Sequence, residues 1–299
     1  MEILYTGLGW IDIIPMLQAR LTAHRVQRAD PSRSVIEQIA DVEVLLPSNR
    51  PANREVIAAA KKLVLIQQPA VGYEGIDLDA ARERGIPVCN APGSNPVAVA
   101  EAALLLMLAL ARRYKEAQQT FARAVIGQPL GLELSGRALG LVGNGQSARR
   151  LGTTAAAMGM RVVAIDSRST RFDLLDLARK SDVLSLHCPL TDRTRGSIDA
   201  EVLSLLPEGA LLINAARGGI IDRPSLEAAL ASGRLGGVGL DVYWKEPWDP
   251  LDPLFARDDV VTLPHVGGTT REAFARVADI AAENVRRFVA GEALLHRIA

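Results

Sequence analysis

The segment 138–166, ALGLVGNGQSARRLGTTAAAMGMRVVAID, restricts this chain more than any other. Its apolar run 139–142 reads as a buried parallel strand. Gly143, Gly145 and Ala148 follow at the spacing G-x-G-x-x-A. The small, Ala-rich run 149–158 reads as a helix packed close to a sheet, and Gly159 ends it. A second apolar run, 161–165, closes on Asp166. Each part has a physical task in a dinucleotide site. Gly143 permits a tight turn out of the strand, and Gly145 lets backbone approach a pyrophosphate. Ala148 keeps helix and strand close, standing in for Gly. Around Gln146 and Ser147 the helix N-terminus offers unpaired N–H groups to phosphate. Asp166, at the tip of the second strand, can accept hydrogen bonds from a ribose diol. The glycine spacing alone is a weak signal. An ordinary strand–turn–helix corner, however, needs neither Asp166 nor a glycine on each side of Asn144.

The 299 residues are long for one compact core, so two domains are expected. Lys and Arg balance Asp and Glu at 34 each, and nothing points to nucleic acid or an anionic membrane surface. The most apolar stretch, 98–111, is shorter than a membrane span and carries Glu101, so it reads as a buried helix. The opening MEILYTG enters a strand-like run with no targeting signature. With Cys89 and Cys188 as the sole cysteines, a reduced, cytoplasmic protein is the expectation. No metal site is read.

Residues 1–95 alternate strand-like runs (3–6, 26–29, 42–47, 63–67, 88–90) with helical ones (11–21, 34–39, 54–61, 78–84). That alternation implies a parallel sheet with helices on both faces, a doubly wound α/β unit. Val71 and Gly72 read from this segment alone as a strand-exit turn. Asn95 and Pro96 read as cap and first turn of an apolar helix reaching about residue 114. After Asp166, strands are expected at 183–188, 211–216, 238–242 and 260–263, and a long closing helix at 271–289. These place Arg217, Glu246 and His265 at strand ends or in a strand-end loop. In a doubly wound sheet all strand carboxyl ends share one edge, where the pyrophosphate turn also lies. Each of the three alone reads as a turn or surface residue. Together they are the types that hydride transfer to a carbonyl needs: a cation, a proton donor of near-neutral pKa, and a carboxylate to orient it.

The strings GLVGNGQSARRLG, HCPLTDRTRG, NAARGGIID, LDVYWKEP and LPHVGG, with AVGYEGID and NAPGSNPVAVAE before them, resemble the D-isomer-specific 2-hydroxyacid dehydrogenase family over nearly the whole length. The resemblance implies a flavodoxin-like substrate domain built from 1–95 plus 269–299. It implies an inserted Rossmann NAD-binding domain, 96–268, and a homodimer formed around that insert. It implies that Arg217 binds substrate, His265 is the acid/base and Glu246 its partner. The Val71 and Gly72 amides take the substrate carboxylate, and Asn95 is a polar group near substrate. Gln146 and Ser147 meet the pyrophosphate, Asp166 the ribose and Asp241 the carboxamide. Cys188, Pro189 and Thr194 line the adenosine side; Ala215, Ala216, Gly267 and Gly268, with His265, lie against the nicotinamide ribose. Two departures stand out. Residues 166–172 leave no room for a further short strand that the family has there, and the segment before Gly136 lacks the family's Gly-x-Trp.

The expected function is NAD-dependent hydride transfer at C2 of a small D-2-hydroxy or 2-oxo acid. The alternatives are a phosphoglycerate dehydrogenase without a regulatory domain, with Arg50 on the phosphate, and a non-enzymatic, NAD(H)-sensing corepressor-like binding protein. Formate dehydrogenase activity is disfavoured, because that layout carries Gln in place of Glu246.

Overall fold

The structure, a computed structural model, describes residues 1–299. The chain packs into two compact units, Met1–Asn95 with Thr269–Ala299, and Pro96–Gly268.

The first unit carries strands β1 (Glu2–Tyr5), β2 (Arg25–Arg28), β3 (Val44–Leu46), β4 (Leu65–Gln67) and β5 (Val88–Cys89). Its helices are α1 (Ile13–Arg20), α2 (Arg54–Ala59), α3 (Leu78–Glu83) and, from the far end of the chain, α11 (Arg271–Ala290). The strands are all parallel, in the order β2-β1-β3-β4-β5, which is the flavodoxin-like winding. Each face of the sheet has its own apolar core. Ile3, Tyr5, Val44 and Leu65 meet α1 and α11 through Leu17, Phe274 and Val277. Leu4, Leu45 and Ile66 meet Ile57, Ala80 and Ala81 of α2 and α3. Such strands, buried on both sides, must read as continuous apolar runs, and they do. The expected helix at 34–39 is only a 3-10 turn, Ile36–Gln38. The reason is Gln38, whose side chain accepts from the Asp30 amide at 2.7 Å and donates to the Ser34 carbonyl at 3.0 Å, folding the segment into a loop.

The second unit carries α4 (Pro96–Ala111), α5 (Tyr114–Ala122), β6 (Ala138–Val142), α6 (Gln146–Ala157), β7 (Arg161–Ile165), α7 (Arg171–Arg179), β8 (Val183–Leu186), α8 (Ala200–Leu205), β9 (Ala210–Asn214), α9 (Arg223–Ala231), β10 (Leu235–Leu240), α10 (Pro253–Ala256) and β11 (Val260–Thr262). The apolar helix stops short of residue 114, because Arg113 takes a left-handed conformation (φ 50°) that breaks α4 from α5. The sheet is parallel, in the order β11-β10-β9-β8-β6-β7. Counted within the unit this is 2-1-3-4-5-6, the dinucleotide-fold order 3-2-1-4-5-6 with its third strand missing beyond β7 and one further parallel strand, β11, added at the opposite edge. The short 166–172 connection is the cause. It leaves β7 at the edge, with Val163 51% exposed. Strand β6, next to that edge, is buried throughout, between α4 and α6 on one side and α7 on the other.

Gly140 of β6 has no room for a side chain, since a methyl there would land on the Ser181 hydroxyl, which is buried and donates to the Leu177 carbonyl at 2.6 Å. Gly140→Ala is therefore expected to destabilise the protein by about 1–3 kcal/mol through overpacking, read as a lower urea midpoint at unchanged slope.

Candidate active site

The second unit gathers chemistry at the carboxyl ends of its strands. Gly143 leaves β6 at φ 116°, and a Cβ on it would lie 2.7 Å from the His187 carbonyl carbon. Only glycine meets both demands. Gly145 then caps α6, with open space where its Cβ would be. The amides of Gln146, Ser147 and Ala148 open the helix, and Ala148 is fully buried against the core. A helix N-terminus beside open backbone fits a pyrophosphate. Asp166, just past β7, accepts the Arg168 amide at 2.9 Å on Oδ1 and the Arg168 guanidinium at 2.8 Å on Oδ2. The hydrogen bonds and charge of Arg168 hold this carboxyl below the usual range, so it is an ionised acceptor that a ribose diol could use.

Three strands away, β9 ends in a turn built by Asn214. This fully buried side chain donates to the Arg217 carbonyl at 2.9 Å and accepts the Ala216 amide at 3.0 Å. Ala215 and Ala216 thus lie in a fixed turn that delivers Arg217. Gly218 follows, and a Cβ on it would collide with the Tyr243 backbone. The Arg217 turn and the 243–246 loop can approach only because that atom is missing. His265 Nδ1 lies 2.7 Å from Glu246 Oε2, while Glu246 Oε1 accepts the Tyr243 amide at 3.1 Å. Burial opposes ionisation of Glu246, but the His265 bond and charge, the Tyr243 amide and the Arg217 charge outweigh it, and its pKa is lowered. Arg217, Glu246 and His265 are therefore brought together within one unit. Such a group can hold an anion, polarise a carbonyl and pass a proton.

A family profile described as "D-isomer specific 2-hydroxyacid dehydrogenase, NAD binding domain" matches residues 104–267, more than half of the chain. The chain belongs to the D-isomer-specific 2-hydroxyacid dehydrogenase family. The matched residues are the family's NAD-binding domain. A D-3-phosphoglycerate dehydrogenase of Methanocaldococcus jannaschii is 36% identical over 273 residues, covering 86% of this chain and 52% of that protein. A glyoxylate reductase of Korarchaeum cryptofilum is 38% identical over 282 residues, covering 88% of this chain and 85% of that one. The chain thus spans about half the length of the phosphoglycerate dehydrogenases it matches. The crystal structure of a D-lactate dehydrogenase from Aquifex aeolicus complexed with NAD and lactic acid superposes with a TM-score of 0.84 at 28% identity, over 97% of this chain and 96% of that chain. No helix is long and apolar enough to cross a membrane.

Other residues singled out from the sequence fall in both units. Thr194 closes the turn after β8, accepting the Thr191 amide at 2.8 Å and donating to the Pro189 carbonyl at 2.7 Å. Burial pushes the neighbouring Cys188 thiol up to about 11, so it is not a reactive thiolate at neutral pH. Val71 and Gly72 lie in the loop after β4 of the first unit, and Asn95 is the last residue of that unit before Thr269. Arg50 donates to the Pro31 carbonyl at 2.8 Å, which commits part of its guanidinium to backbone.

Besides Asn214, sequence reading missed two participants. His187, at the end of β8, bonds the Ser147 hydroxyl through Nδ1 at 3.2 Å and the Ser185 hydroxyl through Nε2 at 2.9 Å. Burial pushes its pKa down to about 4, so it is a neutral strut beneath α6. Arg193 donates to the Ser167 carbonyl at 2.8 Å and to the Ser169 carbonyl, holding the turn beyond Asp166. Asp241, expected at the carboxamide, also has a role in the protein itself. It is 2% exposed and accepts the Val266 amide at 2.8 Å on Oδ1 and the Gly267 amide at 2.7 Å on Oδ2. Only Gly143 and the Arg217–Gly218–Gly219 turn hinted at such close backbone approaches.

Asp241→Asn leaves one of those two amides facing an NH2 group. It is expected to cost about 1–3 kcal/mol in chemical denaturation, and to speed hydrogen exchange at Gly267 ahead of the β11 amides.

Proposed function

We propose that the chain is an NAD-dependent oxidoreductase acting at C2 of a small D-2-hydroxy or 2-oxo acid, of glyoxylate or hydroxypyruvate type or longer. The observation that carries this reading is the 2.7 Å His265–Glu246 pair, on the sheet edge that also bears the Gly143–Ala148 turn. Bound nicotinamide supplies the hydride. His265 passes the proton to the forming alkoxide, and Glu246 orients the ring and favours its charged form. Arg217 holds the substrate carboxylate and polarises the carbonyl, with the planar fork that a lysine lacks. In the first unit the Val71 and Gly72 amides and the Asn95 side chain are substrate contacts in this reading. The Gly143–Ala148 turn takes the pyrophosphate through Gln146 and Ser147, and Asp166 takes the adenosine ribose. Cys188, Pro189 and Thr194 wall the adenosine side. Ala215, Ala216, Gly267 and Gly268 border the nicotinamide ribose, and Asp241 retains lone pairs for the carboxamide. In this reading the unit formed by 1–95 and 269–299 is the substrate domain.

The test is NADH oxidation with glyoxylate, hydroxypyruvate, pyruvate and a branched 2-oxo acid. Turnover with one or more supports the enzyme, and silence across all of them overturns it. Reduction needs His265 protonated, so its rate falls as pH rises, whereas oxidation gains. Glu246 is ionised throughout that range, because its pKa is lowered. Glu246→Gln removes the charge beside the ring, and the falling limb of kcat/KM for reduction is expected to move to lower pH. His265→Ala is expected to lower kcat by about 10²–10⁴. An unmoved profile in Glu246→Gln would remove Glu246 from the proton path.

A homodimer and a cytoplasmic location belong to the same proposal. Both cysteines are free thiols, which suits a reducing compartment. For the dimer, α4, α5 and the following loop expose Leu105 (54%), Phe121 (82%), Ile126 (97%) and Leu130 (88%). Apolar side chains gathered in one region this way suit a second copy of the chain better than water. The purified protein is expected to sediment at twice its 32.0 kDa chain mass, and Leu105→Glu with Phe121→Glu to shift it to monomer. A monomeric unsubstituted protein would overturn this part alone.

A further inference from the structure

The loop after β4 has an unusual backbone arrangement. Three successive carbonyls are each held by a different donor. The Ala70 carbonyl accepts the Ala91 amide at 2.9 Å. The Val71 carbonyl accepts Asn90 Nδ2 at 2.8 Å, and the Gly72 carbonyl accepts Gln68 Nε2 at 2.7 Å. These peptide bonds are trans, so each C=O points opposite to the N–H of the next residue. Holding the carbonyls of 70, 71 and 72 inward therefore turns the amides of Val71, Gly72 and Tyr73 outward. None of these three amides donates to another part of the protein. Consecutive amides turned to one side and left without a protein acceptor can together bind an anion.

Gln68 is 5% exposed, and its Nε2 also donates to the Ser48 carbonyl at 3.1 Å. Its Oε1 is buried and accepts nothing. The reverse orientation would set that oxygen against two carbonyls, so the amide is used for its donor end only. A buried acceptor without a donor is a cost that an apolar side chain of the same shape would avoid. Behind Gln68 the anchoring continues. Gln67 Nε2 donates to the Gln68 carbonyl at 3.0 Å, and Asn284 of α11 donates to Gln67 Oε1 at 2.7 Å. Gln67 and Asn284 are fully buried, so the loop is fixed from the core outward.

We propose that Gln68 and Asn90 are positioning residues that hold the amides of Val71, Gly72 and Tyr73 in place for the substrate carboxylate. Neither side chain touches the substrate; each acts through a backbone carbonyl. The proposal rests on the reading that this loop takes the carboxylate of an oxo acid, and it adds the Tyr73 amide to that site.

The test uses Gln68→Met, which keeps the shape and removes the donor, and Asn90→Ala, at a more exposed position that folding tolerates better. In each variant, KM for the best oxo acid and Kd of oxamate for the NADH-bound enzyme are expected to rise tenfold or more. The kcat should fall by less than threefold, and NADH affinity should stay within twofold. A merely structural role would not produce that split. Oxamate and oxo-acid affinities within twofold of the unsubstituted enzyme would overturn the proposal while leaving the proposed reaction intact. So would parallel losses of kcat, NADH affinity and oxo-acid affinity, which mark general disruption. If the unsubstituted enzyme neither binds oxamate nor reduces any oxo acid, both readings fall. Should Gln68→Met fail to fold, Asn90→Ala decides alone.

Discussion

The buried carboxylate of Asp241 holds the site's histidine in a conformation it would otherwise leave. His265 has φ 54°, a region that residues with a Cβ rarely occupy and that costs on the order of 1–3 kcal/mol. Both sides of it are fixed. The next two amides, Val266 and Gly267, sit on the Asp241 oxygens, and the His265 amide donates to the Leu263 carbonyl at 3.0 Å. The Tyr243 hydroxyl donates to the same Leu263 carbonyl at 2.6 Å, and the Tyr243 amide holds Glu246. The ends of β10 and β11 are thus stitched into one ring of hydrogen bonds, in which the ring nitrogen of His265 meets Glu246. The His265 ring is thus aimed by backbone, which is what a positioned acid would require.

Aiming of this kind depends on backbone segments that come closer than side chains allow. Gly143 lets the β6 turn press on the end of β8, and Gly218 lets the Arg217 turn press on the loop that carries Glu246. The parallel sheet supplies the rest, because it brings every strand's carboxyl end to one edge whatever the loops contain. The aromatic loop after β10 serves this geometry. Trp244 donates to the Ile221 carbonyl at 2.7 Å, and Trp248 stacks on Tyr243 at 4.4 Å, so both indoles brace the loop.

What the sequence made legible follows from periodicity and punctuation. Most strands of both sheets are short apolar runs followed within a few residues by Gly, Pro or Asp, and their alternation with helices implied two parallel sheets. The shortened link after β7 could be read as a missing strand, because the five residues 166–170 cannot hold a helical crossover and a further parallel strand. Arg217, Glu246 and His265 could be read together because each lies where a strand ends. The buried polar supports could not. Asn214, His187, Arg193 and the Gln68–Asn90 pair look in sequence like any other strand-end or loop residue. Their meaning lies in which carbonyl or amide they meet across the fold, and no local spacing encodes that. The 34–39 segment failed for a related reason: a helical pattern of six residues was overridden by one glutamine side chain bonding the loop backbone.

Two histidines stand at strand ends of the same sheet, and their surroundings separate their tasks. His187 lies deep between Ser147 and Ser185, with no carboxylate bonded to it, and burial alone pushes its pKa to about 4. At neutral pH it cannot carry a proton to a substrate. A neutral imidazole there still joins β8 to the first turn of α6 and adds no charge beneath the helix N-terminus. A cation in that place would add a charge that changes with pH; a neutral strut leaves the helix N-terminus to its own backbone amides. His265 has the opposite setting. It is partly open to solvent and bonded to an ionised carboxylate. The same side chain thus gives a buried neutral support at one strand end and a partly exposed partner of a carboxylate at another, and the difference is made by burial and by one glutamate.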